Sequence, residues 1–227
     1  MKMYSFIKYA FGWIFKILYR IKVVNPENFP ETDKPYIICA NHSHLFDVVP
    51  MVIYSKRKIR FMAKKEVFHT PFLRGLAKVM GAYGVDRGAS DIAALKKTIE
   101  ILKSGDCIGI FPQGTRCSYI DPRDTEPKEG IGMLASRAGV GILPVCIRTK
   151  RNRMGLFRKT EFVIGKYLSP EDLAFPELSG MERNRKIARV AFDQICEMNN
   201  VIERKPLPPE KIAKIQEEID RKTNKHK

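Results

Sequence analysis

Residues 36–47 read Tyr-Ile-Ile-Cys-Ala-Asn-His-Ser-His-Leu-Phe-Asp. Tyr36–Ala40 is apolar throughout, which suits a strand covered on both faces. The polar residues that follow it, Asn41 to Asp47, stand where parallel α/β sheets collect their ligands, at the carboxyl end of a strand. Further short apolar runs at Ile59–Ala63, Ala82–Val85, Cys107–Phe111, Ile142–Ile147 and Glu161–Ile164 also read as strands. Helical stretches lie between them. Asp91–Lys103 has Ser90 as N-cap and Gly105 beyond its end, Ile131–Ala138 stops at Gly139, and a third runs from about Glu182 to Glu203. Strands alternating with helices predict an α/β fold: a mainly parallel, mixed sheet covered by helices on both faces. Pro144 interrupts one strand, which signals an edge, a bulge or a strand start.

Residues 4–22 carry helical periodicity. Phe6, Ile7, Ala10, Phe11, Trp13, Ile14, Ile17, Leu18 and Ile21 fall in one arc, and Lys2, Lys8, Lys16, Arg20 and Lys22 in the opposite one with Tyr9, Phe15 and Tyr19. A purely basic polar face suits an amphipathic helix lying in the plane of a bilayer surface, and packing on the rest of the domain is the competing reading. The expected organisation is an interfacial helix over 1–24, an α/β domain over 25–205 and a charged tail over 206–227 with a thin Ile212, Ile215, Ile219 stripe. At 227 residues the chain suits one well-buried domain.

Lys plus Arg total 41 against 25 Asp plus Glu, a net charge of +16 that favours a polyanionic partner. A nucleic-acid module would need a stacking platform or a recognised binding motif, and none is legible. The five cysteines are scattered and form no C-x-x-C pair, which argues for a reducing compartment and against a structural zinc site. No run reaches the roughly 20 apolar residues of a spanning helix.

His42 and Asp47 are five residues apart. On a regular helix that spacing separates them by about 140°, so contact requires a turn leading into a helix. With such a turn, Asp47 fixes one ring nitrogen of His42 and frees the other as a base, although His44 is also near Asp47 and competes for that role. Phe111-Pro112-Gln113-Gly114-Thr115-Arg116 follows another apolar strand. Gly114 permits close backbone approach, and Arg116 offers a planar fork for phosphate. Lys64, Lys65 and Arg87 add cations at strand ends. The stretch Arg148–Lys159 mixes cations with Met154, Leu156 and Phe157, as a lipid surface would require or a solvated loop would tolerate.

Taken in order, these blocks resemble the glycerolipid acyltransferases, specifically the lysophosphatidic acid acyltransferases. Asn41, His42 and Asp47 match N-H-x-x-x-x-D. Lys65, Gly81, Val85 and Arg87 match the second block. Residues 111–116 match F-P-E-G-T-R except at Gln113, and Leu143-Pro144-Val145 matches an aliphatic-Pro-aliphatic strand. The match spans roughly residues 35–170.

The resemblance implies direct transfer of an acyl chain from acyl carrier protein or coenzyme A thioester to the sn-2 hydroxyl of lysophosphatidic acid. His42 would be the base and Asp47 its orienting partner. Asn41, Lys64, Lys65, Arg87, Gln113, Gly114, Thr115 and Arg116 would bind substrate, with no metal, cofactor or cysteine involved. It implies a peripheral or monotopic protein on the cytoplasmic face of the cell membrane. Another lysolipid acceptor, and a basic non-catalytic lipid- or nucleic-acid-binding protein, are the alternative expectations.

Overall fold

The computed structural model describes residues 12–64, 81–85 and 91–200, together with positions 68, 69, 71, 74, 75, 77 and 210. The strands are β1 (Ile21–Val24), β2 (Tyr36–Ala40), β3 (Ile59–Lys64), β4 (Ala82–Val85), β5 (Cys107–Ile110), β6 (Gly141–Thr149) and β7 (Thr160–Ile164). The helices that run unbroken through the described residues are α1 (residues 12–18), α2 (Val48–Tyr54), α3 (Asp91–Lys103), α4 (Gly130–Ala138) and α5 (Gly180–Asn199). The strands form one seven-stranded sheet in the order β1-β7-β6-β2-β5-β3-β4. All neighbouring pairs are parallel except β6 with β7, so the expected mixed α/β sheet is what the chain builds.

The period of two in β2 distributes its side chains between two cores. Tyr36, Ile38 and Ala40 join Tyr19, Val49, Met51, Val52, Val145 and Phe162 on one face. Ile37 and Cys39 join Ile108, Ile142, Leu102, Leu134 and the inner stripe of α5 on the other. That stripe, Ile187, Ala188, Ala191, Phe192 and Ile195, has helical spacing and is at most 1% exposed. Full burial of an Ile or Phe side chain is worth about 1.5–3 kcal/mol, so α5 is a principal clamp on the sheet.

Three expectations are corrected by the structure. The N-terminal helix does not continue to residue 22. It ends at 18, turns through Arg20 at φ 43°, and becomes β1, which pairs with β7. Residues 21–24 therefore belong to the α/β domain. Trp13, Ile14 and Ile17 of the expected apolar arc are exposed, but Leu18 of that arc packs inward together with Phe15 and Tyr19, which the sequence placed on the basic side. Finally, Pro144 lies in a central strand. Its carbonyl accepts from Gly165, and the next bridge to that side is Ile142 with Leu168. Backbone groups of alternate residues point the same way, so the missing N–H of Pro144 faces the stretch where the chain leaving β7 has departed from the ladder. Positions 1–11, Ser90, Lys65, Arg87 and the tail stripe of Ile212, Ile215 and Ile219 lie outside the described residues.

The α4–α5 contact is backbone-close. A Cβ on Gly132 would lie 2.0 Å from the carbonyl oxygen of Asn184, whereas one on Gly130 would meet nothing within 4 Å. Gly132→Ala is expected to destabilise the fold by about 1–3 kcal/mol through overpacking. Gly130→Ala should be neutral or slightly stabilising. Thermal melts of the two variants check this, and equal melting temperatures would disprove the close contact.

Candidate functional site

The parallel strands β2, β3, β4, β5 and β6 deliver their carboxyl ends to one rim of the sheet. Beyond Ala40 the chain makes a 3-10 turn at Leu45–Asp47 and runs directly into α2. This turn supplies the contact that a regular helix would deny. His42 Nδ1 lies 2.9 Å from Asp47 Oδ2. The same oxygen accepts from the backbone N–H of Ser43 at 2.5 Å and of His44 at 2.7 Å. Asp47 is fully buried, and these donors replace the water lost at Oδ2, while Oδ1 has no partner among the described residues. A carboxylate at Nδ1 makes that nitrogen the protonated one in the neutral ring, which leaves Nε2 with a free lone pair. The imidazole lies flat on Phe111, with ring centroids 4.0 Å apart and planes inclined by 15°. Its orientation is therefore fixed by a hydrogen bond at one edge and by stacking on one face.

His44 is a poor rival for the base. Its Nδ1 accepts from the N–H of Phe46 at 3.3 Å, capping the 3-10 turn. Burial lowers its pKa despite the opposing charge of Asp47, and Arg153 and Arg116 lower it further.

Two residues expected to bind substrate have framework partners. Asn41, 3% exposed, donates from Nδ2 to the carbonyl of Ile147 at 3.1 Å and accepts at Oδ1 from its N–H at 2.7 Å, tying the end of β2 to β6. Gln113, 5% exposed, accepts at Oε1 from the N–H of His42 at 2.7 Å and donates from Nε2 to Thr125 Oγ1 at 2.9 Å. The Thr125 hydroxyl in turn donates to the carbonyl of Pro122 at 2.8 Å. Gln113 therefore holds the backbone of His42. The carbonyl of His42 accepts from the N–H of Cys117 at 2.7 Å, so the 111–117 loop braces His42 from both sides of its peptide.

Gly114 has φ 72°, a conformation that favours glycine, and the turn leaves Arg116 exposed and Thr115 half-buried. Lys128 folds over this turn: its Nζ would lie 3.2 Å from a Cβ on Gly114, and its N–H donates to the carbonyl of Pro112 at 2.8 Å. Sequence reasoning missed Lys128, since nothing local marks one lysine in the 122–129 segment as belonging to a turn fourteen residues back. Lys64 ends β3 at the same rim. Lys65 and Arg87 lie outside the described residues. Burial pushes the thiols of Cys39 and Cys146 far up and that of Cys117 to about 11, which removes them as thiolate nucleophiles near neutral pH.

The model of the family described as Acyltransferase matches residues 20–148 of this chain. The 1-acyl-sn-glycerol-3-phosphate acyltransferase of Bacillus subtilis is 30% identical over 88% of this chain and 99% of its own length. The protein of the same name from Streptococcus pneumoniae is 30% identical over 76% of this chain and 65% of its own. The crystal structure of the 1-acyl-sn-glycerophosphate (LPA) acyltransferase of Thermotoga maritima superimposes with a TM-score of 0.63 at 25% identity, covering 91% of this chain and 80% of that one. A shared fold, a family match that contains the braced His42–Asp47 pair, and relatives aligned over most of their length converge on one conclusion: this chain belongs to the acyltransferase family.

Proposed function

We propose that this acyltransferase moves a fatty acyl chain from an acyl thioester, carried by acyl carrier protein or coenzyme A, to the sn-2 hydroxyl of lysophosphatidic acid. The product would be phosphatidic acid, within phospholipid biosynthesis. The observation that carries the reading is the buried Asp47 carboxylate at His42 Nδ1, which leaves Nε2 as a base at the sheet rim. The names of the relatives supply the substrate class.

His42 Nε2 takes the proton of the acceptor hydroxyl as that oxygen attacks the thioester carbonyl. The tetrahedral adduct collapses by breaking the carbon–sulfur bond, and the imidazolium returns the proton to the departing thiolate. Asp47 keeps the ring in the required tautomer and offsets its positive charge in between, the part an acid plays beside a catalytic histidine elsewhere. Arg116 and Lys128 hold the acceptor phosphate. Arg116 supplies a fork that can bond two phosphate oxygens and Lys128 a point charge. With Gln113 committed to the His42 N–H, its departure from the family's glutamate changes the support of the base and leaves these cations unaltered, which favours the usual acceptor.

The proposed working place is a membrane surface, with the chain attached peripherally on the cytoplasmic face. Among the described residues no helix is long and apolar enough to cross a membrane. Trp13, Ile14 and Ile17 on α1 are exposed together with Leu156 and Phe157 of the β6–β7 loop, and the N–H of Phe157 donates to the carbonyl of Leu18 at 2.5 Å, joining the two segments. Exposed Lys16 and Arg20 flank them. This mixture is that of an interfacial element, in which each cation adds about 1 kcal/mol on an anionic surface.

His42→Ala is expected to lower the rate of thioester-dependent acylation by about 10²–10⁴-fold with the melting curve preserved. Asp47→Asn should be severely impaired as well, and the double variant little worse than the weaker single one, because the two residues act as a unit. Strictly multiplicative losses would show that they work independently. Arg116→Ala should raise the KM for lysophosphatidic acid much more than that for the acyl donor, with Arg116→Lys restoring part of the loss. Equal effects on both substrates would remove the phosphate assignment. Because β1 is part of the sheet, the membrane contact is better tested by substitution than by truncation. Ile14→Asn with Ile17→Asn should weaken binding to anionic vesicles even at low salt, and Lys16→Gln should make binding less salt-sensitive. Unchanged sedimentation of the first variant would place the contact elsewhere.

A further inference from the structure

A cavity of roughly 440 Å³ opens beside the catalytic pair without including it. Its lining comes from Tyr19 at the end of α1, from His44 and Phe46 in the turn before α2, from Tyr119, and from the 153–158 segment of the β6–β7 loop. None of His42, Asp47, Gln113 or Arg116 lines it, so it is separate from the site that holds the reacting groups. Its size falls within the range of about 300–1,000 Å³ in which small-molecule sites are found.

The chemistry of the lining is specific. Arg153 and Arg158 both face this space, and neither has a carboxylate partner among the described residues. By contrast Arg148 at the end of β6 and Lys159 just before β7 share Glu161, at 2.7 and 2.8 Å. Arg153 donates to the hydroxyl oxygen of Tyr119, and its guanidinium carbon lies 5.0 Å from the centre of that ring. This fixes the fork and leaves the phenolic proton free to donate. His44, with Nδ1 accepting from Phe46, carries its proton at Nε2 and is a further donor. The lining thus offers cations and donors, and Met154 and Phe46 supply an apolar floor.

The rim adds a second constraint. Leu156 is 57% exposed and Phe157 is 67% exposed, next to the exposed ridge of α1. Tyr119, Asn152 and Phe157 all have positive φ, of 67°, 48° and 58°, although none is glycine. Backbone in that region costs about 1–3 kcal/mol and persists where its surroundings over-determine it, as they do in ligand clamps. Here the N–H of Tyr119 is held by the carbonyl of Asn152 at 3.1 Å and that of Phe157 by Leu18. A water-soluble anion would use the cations and leave the apolar rim in water. An anion attached to acyl chains uses both.

We infer that this cavity is a second phosphate site, which seats the headgroup of a non-reacting bilayer phospholipid while Leu156 and Phe157 enter the acyl layer. The inference rests on the interfacial reading above and refines it: attachment then depends on a particular cavity as well as on overall charge. The forked Arg153 and the Tyr119 hydroxyl recognise the phosphate, and Arg158 completes its neutralisation.

The test uses the full chain and sedimentation with phosphatidylglycerol vesicles at fixed salt. Arg153→Gln with Arg158→Gln is compared with Lys96→Gln with Lys103→Gln, an equal loss of charge at exposed positions on α3, which packs against the opposite face of the sheet. The cavity pair should weaken binding at least tenfold and the control pair less than twofold. Tyr119→Phe, which keeps the ring and removes the hydroxyl, should weaken it about threefold. Equal losses in the two pairs would overturn the inference in favour of unspecific attraction. A misfolded cavity variant is recognised by its melting curve, and Tyr119→Phe then decides: binding equal to that of the unaltered chain overturns the inference. Turnover of a detergent-dispersed acceptor is read in parallel. A fall there as large as the fall in vesicle binding would assign the cavity to the reacting site and overturn the proposal. Failure of the unaltered chain to bind any vesicle would instead sink the interfacial reading itself.

Discussion

One buried carboxylate oxygen organises the loop that leaves β2 at the rim of the sheet. Asp47 Oδ2 receives the ring of His42 and the N–H groups of Ser43 and His44. An ionised carboxylate cannot be buried without such donors, since the cost of an unpaired one runs to several kcal/mol. The turn between β2 and α2 is therefore folded around its own anion. Loss of the carboxylate would release the ring of His42, unmake the cap of the 3-10 turn and leave backbone donors unsatisfied at once. A pair drawn as two residues in a catalytic scheme is, physically, a loop of six residues closed on a single atom.

The braces around that loop come from elements distant in sequence. Gln113 and Cys117 hold the two ends of the His42 peptide, and Asn41 locks the preceding residue to β6. Each brace uses a neutral hydrogen bond, worth about 0.5–1.5 kcal/mol net but costly to leave unmade in a buried site. A glutamate at 113 could accept from His42 N–H as well, but the Thr125 hydroxyl would have to turn from Pro122 to meet it. The amide of Gln113 satisfies both neighbours as they stand and keeps a second ionisable group away from His42.

How much was legible in the sequence depended on whether the signal was local. The β2 run, the α3 and α4 boundaries and the His42–Asp47 turn were readable because spacing and caps carry them. β1 was not, because Ile21, Val23 and their neighbours continue the apolar spacing of the preceding helix, and only pairing with β7 across more than a hundred residues makes them a strand. Pro144 misled for a similar reason: its tolerance depends on where the chain leaving β7 departs, which no nearby residue announces. The inward packing of Phe15, Leu18 and Tyr19 was not readable because the helix is apolar on two sides, with Trp13, Ile14 and Ile17 outward. Among the candidate residues, those with chemical character, His42, Asp47 and Arg116, stood out. The framework duty of Asn41 and Gln113 and the position of Lys128 follow from tertiary contacts alone.

The inward side of α1 has a consequence of its own. Phe15 stacks on Tyr19 at 5.3 Å and meets Phe46 edge-on at 5.3 Å, one residue before Asp47. The outward ridge of the helix and the His42–Asp47 turn are thus two sides of a single aromatic wedge, with no linker between them. If the ridge rests on a bilayer, the height and tilt of His42 above that plane are set by the thickness of three rings. Search for the acceptor then becomes diffusion in two dimensions at a fixed altitude, and the doubly acylated product can slip back sideways into the leaflet without crossing water.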